Sequence, residues 1–233
     1  MKTHLHPIFR KLFQLLLYIC FTYTQSAYAA NSAGEVVVIK GLAWAQLTNE
    51  VARKLEKGSF IYQSDVIKTE KGSTVQLLFN DQTKFFLGAE TEMSVDKFNI
   101  QGSAEEKGFT SRVVKGTFRF VTGLIARENP EAMLINTPVA AIGIRGTHVV
   151  AEADATSATI ILVAPEGDAR KTSIEVSNPY GSVLIDEPGY GTNIPDELSA
   201  PSPPRRMRLQ TINNIMRSMQ SIQRINIPSP RMP

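Results

Sequence analysis

Apolar residues recur at every second position through most of this chain. Val36 and Val38 begin the pattern, Leu42 and Trp44 continue it after Gly41, and Val75, Leu77 and Phe79 then alternate with Thr74, Gln76 and Leu78. A period of two puts neighbouring side chains on opposite faces of an extended backbone, so each such segment buries one face and wets the other. Further extended segments are predicted at Phe60-Ile61-Tyr62, 65–69, 84–87, 93–98 and 113–121, the last with a bend at Gly116. Others follow at 133–135, 158–163, 174–176 and 183–185. Lys71-Gly72-Ser73 and Asn80-Asp81-Gln82 are tight connections, and the polar run 101–108 is a loop. No helical pattern of about ten residues occurs before Leu198. Short alternating strands separated by frequent turns restrict the fold to an all-β sandwich, barrel or β-roll. The segments around Val36 and Trp44, on either side of Gly41, are expected as a first pair of strands.

The two ends follow other rules. Residues 1–29 read as a signal peptide: Lys2, Arg10 and Lys11 start it, 12–21 is apolar but too short to span a bilayer, and Ala27-Tyr28-Ala29 supplies small residues for cleavage. The only cysteine, Cys20, lies inside it. The mature chain would then have no disulfide, thiolate nucleophile or cysteine metal site. Residues 30–188 are expected to form the β domain. Residues 189–206 carry Gly189, Gly191, Pro195, Pro201, Pro203 and Pro204 and are expected to be a linker. From Leu209 the spacing becomes three and four, through Ile212, Ile215, Met216, Met219 and Ile222, which predicts an amphipathic helix over 207–227.

Charge is divided in the same way. The chain holds 25 Lys and Arg against 22 Asp and Glu, and every acid lies before Ser199. Six arginines (205, 206, 208, 217, 224 and 231) follow it. The basic pI near 9.0 thus comes from the ends and argues against nucleic-acid binding by the body. The basic helix is open to three readings: fold-back onto the acidic body, self-association, or peripheral contact with an anionic membrane.

The inventory for chemistry is thin. Between Ser32 and the C-terminus there is one histidine, His148, so neither a histidine metal cluster nor a Cys–His pair can be assembled. His148 is read as structural. Asp65 and Asp81 sit at turn positions, and hydrogen bonding within the turn accounts for them without calcium. Glu105-Glu106 and Asp186-Glu187 are read as solvated charge. No enzyme activity, cofactor or metal is expected. The segment with most character is Thr137-Pro138-Val139-Ala140-Ala141-Ile142-Gly143-Ile144-Arg145-Gly146-Thr147. Its glycines imply a sharp turn or a close approach. Arg145, with Gly143, Gly146 and Thr147, is the candidate binding set, and Thr137 and Pro138 are a structural motif. The bland reading of Arg145 is a cap for backbone carbonyls at a β corner.

These residues also carry a family resemblance. Gly58-Ser59-Phe60-Ile61, Asp65-Val66-Ile67-Lys68-Thr69 and 73–79 with Asp81 are similar to the first half of the FecR domain. Residues 114–123, Ile135-Asn136-Thr137-Pro138 and Gly143-Ile144-Arg145-Gly146-Thr147 resemble its second half, for a span of 35–151. The resemblance implies a periplasmic β-rich domain. In the best-known members this domain follows a transmembrane helix and a cytoplasmic anti-sigma segment and relays a signal from an outer-membrane receptor. With its cleavable-looking leader, this chain resembles the free-standing, exported members instead. The expected role is a non-enzymatic sensor, adaptor or scaffold that contacts an envelope protein, periplasmic or secreted in a Gram-negative bacterium. The alternative is a carbohydrate- or peptidoglycan-binding domain, against which stands a single tryptophan, Trp44.

Overall fold

The computed structural model of the chain describes residues 32–146, 148–163 and 172–219. Residues 1–29, expected as a signal peptide, lie outside the described residues. The described residues are mostly strand, arranged as two sheets that share one long member. Sheet A runs, in spatial order, β4 (Phe60–Ile61), β1 (Gly34–Lys40), β6 (Thr74–Phe79), β7 (Lys84–Leu87), the C-terminal part of β9 (Gly108–Val121), β12 (His148–Ala153), β13 (Ala158–Val163), β16 (Tyr190–Ile194) and β17 (Arg205–Arg206). Sheet B runs β3 (Arg53–Lys54), β2 (Ala43–Gln46), β5 (Val66–Thr69), β8 (Glu92–Asn99), the N-terminal part of β9, β10 (Met133–Asn136), β11 (Ala141–Arg145), β14 (Ser173–Asn178) and β15 (Gly181–Ile185). Among the described residues all pairings are antiparallel except β9 with β10. A short helix α1 (Leu124–Glu128) and a 3-10 turn carry the chain from the end of β9 back to its start, which permits that parallel pair.

The alternation in sequence becomes one core between the sheets. Val36, Leu77, Phe85 and Ile160 from sheet A meet Ile67, Met93, Ile142 and Val176 from sheet B, all buried. Phenylalanines knit the layers together. Phe79 and Phe85 of sheet A lie 4.5 and 5.8 Å, centroid to centroid, from Phe109 of sheet B, and Phe98 meets Phe109 edge-on at 5.4 Å. Such aromatic pairs add about 0.5–1.5 kcal/mol each to their burial.

Strand β9 shows how the chain changes layers. Its inward residues are Phe109, Ser111 and Val113 up to the bend, then Phe118 and Phe120 beyond it. The odd-to-even switch needs a break in the pleat, and Gly116 supplies it with φ +107°. Nothing larger fits there: a Cβ would fall 2.5 Å from the Cα of Thr91. The bend expected at Gly116 is therefore a passage from sheet B to sheet A.

Two expectations change. The segments around Val36 and Trp44 do not pair with each other, because β1 joins sheet A and β2 joins sheet B; Gly41 between them is a layer crossing, not a hairpin. Residues 189–206, expected as a linker, contain β16 and β17. Thr192 and Ile194 are buried, and β16 pairs along β13. Proline removes amide donors but does not forbid a return loop. Ser202 closes that loop, its amide donating to Asn193 O at 3.0 Å and its Oγ accepting from Asn193 N at 3.1 Å.

Candidate functional site

The segment 137–147 is a hairpin followed by a corner. Thr137 follows β10 and caps the turn: Ala140 N donates to Thr137 Oγ1 at 3.0 Å, and both Thr137 N and Oγ1 donate to Ala140 O, at 2.7 and 3.0 Å. Pro138, exposed at the tip, gives up only an amide that the turn does not need. Asn178 Nδ2 ties the turn to β14 through Val139 O at 3.2 Å.

β11 then crosses sheet B between β10 and β14, with Gly143 opposite Leu134 on one side and Glu175 on the other. Gly143 needs no special geometry. A Cβ there would meet nothing closer than Glu175 O at 3.8 Å, so an alanine would fit the fold. Gly146 differs: its φ is +59°, and it stands between β11 of sheet B and β12 of sheet A. It is another layer crossing, with open space around it. Thr147 lies outside the described residues. Arg145 is exposed at the end of β11, opposite Ser173. Its guanidinium has no hydrogen bond or ion pair among the described residues, so the expected capping of corner carbonyls is not what holds it.

The family model described as FecR protein matches residues 65–182, from the start of β5 into β15 and across Gly116 and Gly146. The chain belongs to the FecR family. Two crystal structures of a Parabacteroides distasonis ATCC 8503 protein, described as an anti-sigma factor, are similar at 14% identity. One has a TM-score of 0.50 over 65% of this chain and 63% of that chain. The other has 0.49 over 65% and 64%. The chain thus covers less than two thirds of the length of either. The first likeness supports the β-rich fold. No curated protein matches the chain.

In this FecR-family chain the C-terminal helix resolves one of the three readings of the basic tail. Helix α2 (Leu209–Met219) lies on the outer face of sheet A, where Ile215 and Met219 bury against Val150 and Ile161, with Ile212, Met216, Phe86 and Val163 packed around them. Ser218 Oγ and Thr117 Oγ1 meet at 2.7 Å. Leu209, expected in the apolar stripe, is 77% exposed. The part of the expected 207–227 helix beyond Met219 lies outside the described residues. Fold-back is apolar, not ionic: none of Arg205, Arg206, Arg208 and Arg217 pairs with an acid among the described residues.

The FecR body also contains an ion pair that motif reading missed. Asp65 is fully buried, and Arg53 grips it bidentately through both guanidinium nitrogens, Nη1 to Oδ1 at 2.8 Å and Nη2 to Oδ2. Tyr62 N also donates to Asp65 Oδ2 at 2.8 Å, and the guanidinium stands 5.2 Å from the Tyr62 ring centroid. Asp65 is thus tied to the turn, as expected, and also across it. Arg53 sits in an unpatterned polar stretch, and only the fold reveals its partner. Asp81 accepts from Thr83 N and Oγ1 at 3.0 and 2.7 Å within the β6–β7 turn. No cluster of three or more metal-ligating side chains occurs among the described residues. No described helix is long and apolar enough to cross a membrane.

Proposed function

We propose that this FecR-family chain is a regulatory module of the bacterial envelope, exported to the periplasm or secreted, that works by binding another protein and not by chemistry of its own. The family match over 65–182 carries the reading. The description of its structural neighbours as anti-sigma factors agrees with a place in a signalling system. The leader-like residues 1–29 motivate the location. The two outer faces of the sandwich are unequal: sheet A is roofed by α2, whereas sheet B presents Val114, Leu184 (56% exposed), Glu175 and Arg145 to solvent. The sheet B face, with Arg145 at its rim, is the surface we assign to the partner.

The test is photo-crosslinking in cells, with the crosslinker placed at Arg145 or Leu184 of the full chain. A discrete adduct with an envelope protein from these positions, and none from positions beneath α2 such as Phe86, is expected. Adducts only with the chain itself would overturn the adaptor reading. Cell fractionation and N-terminal sequencing of the same material would overturn the export reading if residues 1–29 were retained on a cytoplasmic protein. For carbohydrate binding the sheet offers little platform, since Trp44 is half-buried and Tyr180 is the exposed aromatic residue at its edge.

A further inference from the structure

Beside the first turn of α2 lies a cavity of about 280 Å³. Its walls are Thr159 of β13, Asn193 of β16, Arg205 and Arg206 of β17, Arg208, and Thr211 of α2, with buried Met207 closing one side. The return loop builds it. β17 pairs back on β16 with Arg205 opposite Gly191 and Arg206 opposite Tyr190, and Met207 N is fixed to Gly189 O at 2.9 Å. The chain then turns directly into the helix, where Thr211 N and Ile212 N donate to Arg208 O at 2.9 and 3.2 Å.

The chemistry of this wall is one-sided. Three arginines, two threonines and one asparagine line the cavity. Arg205 Nη2 donates to the Asn193 carboxamide oxygen at 2.9 Å, in the orientation in which the amide nitrogen donates to Thr192 O at 3.1 Å. Asn193 therefore steadies Arg205 without neutralising it. Arg206 and Arg208 have no acid partner among the described residues. Glu152 stands opposite Thr159 across β12 and β13, yet makes no ion pair with these arginines. None of the three arginines is in an ion pair among the described residues, so a bound anion would supply the partner that their charges lack. The N-terminus of α2, at Leu209, places the positive end of its dipole on the same side as this wall.

We propose that this cavity is a binding site for a phosphate monoester. A dianionic phosphate offsets more of three guanidinium charges than a carboxylate does, and its oxygens accept from several planar arginine forks at once. The volume exceeds that of a bare phosphate, corresponding to about nine waters at ~30 Å³ each. It therefore has room for the first carbons of the group that the phosphate esterifies. The ester could come from a soluble metabolite or from a lipid headgroup. The site is independent of the partner surface on sheet B.

The experiment titrates the full chain with inorganic phosphate and with glycerol phosphate, in a zwitterionic buffer at constant ionic strength, by calorimetry and thermal unfolding. Saturable binding is expected, with a rise in Tm that chloride at matched ionic strength does not produce. Arg206→Gln and Arg208→Gln should each weaken binding about tenfold or more, the loss of one charge-assisted contact. Both side chains are exposed, so Tm without phosphate should stay at the wild-type value. A third variant, Thr211→Val, should weaken binding with no charge change. Co-sedimentation with phosphatidylcholine vesicles, with and without phosphatidic acid, separates the two sources. Pelleting that needs phosphatidic acid and Arg206 assigns the headgroup, and glycerol phosphate binding without pelleting assigns a soluble ester. Equal stabilisation by chloride, or phosphate affinity unchanged in both arginine variants, overturns the proposal.

Discussion

Single residues here separate into those the fold cannot spare and those it can. Arg53 belongs to the first group: without it Asp65 is a buried carboxylate lacking its counter-ion. With Arg53 partly exposed, Arg53→Ala should cost about 2 kcal/mol, between the values for surface and buried pairs. Urea denaturation should show this, and Arg53→Lys should recover only part, for lack of the second donor. Gly116→Ala should be worse than Gly146→Ala. Both break a positive φ, at roughly 1 kcal/mol or more, but only at Gly116 would the new Cβ strike backbone. Arg145→Ala should leave the urea midpoint within about 0.5 kcal/mol of wild type, as an exposed side chain without partners does. A larger loss would restore the capping reading. Asp154 is a milder case. Thr156 N and Ser157 N each donate to its Oδ1 at 2.8 Å, and Ser157 Oγ to Oδ2 at 2.9 Å. These bonds favour the ionised form and hold its carboxyl below the usual range. Because the folded pKa is the lower one, their stabilising effect is present above the ordinary aspartate pKa and is lost as pH falls through the folded value. The gap between wild type and Asp154→Ala should thus be constant above about pH 5 and shrink below about pH 4.

At the scale of elements, most strands were legible because burial on one face writes itself into a period of two. Val75, Leu77 and Phe79 point inward as their spacing requires, and Gly116 bends β9. Pairing was not legible. Nothing in the sequence around Gly41 distinguishes a hairpin from a crossing between layers, because both need a break in the pleat and partner choice depends on distant strands. β16 was hidden for a related reason. Gly191 is there because β13 passes so near that a Cβ would lie 2.5 Å from Ile160 O, and the surrounding prolines read as a linker. The apolar stripe of α2 was visible, but its target was not: Val150 and Ile161 belong to strands with apolar residues on both faces, which periodicity alone reads as a doubly buried strand. The arginine-lined cavity depends on the return loop and could not be read without it. Ile215→Asp should detach α2, lower stability by about 2–3 kcal/mol through lost burial, and increase dye binding at the uncovered face.

For the whole molecule, the two-sheet plan predicts that the tail and body depend on each other. Ending the chain before Leu209 would uncover Val150, Ile161 and Phe86 together on one sheet face. Such a patch promotes association between copies. The shortened chain should run larger than a monomer in light scattering at concentrations where the full chain's size does not change, and unaltered scattering would show that α2 does not protect the face. One more property follows from β9. Neither layer is complete without it, so the amides of β8, β10, β7 and β12 all hang on the same strand. Neither half can open locally and leave the other intact. In native-state hydrogen exchange the β9 amides on both sides of Gly116 should therefore exchange only through global unfolding, as the slowest group in the protein and with one common free energy.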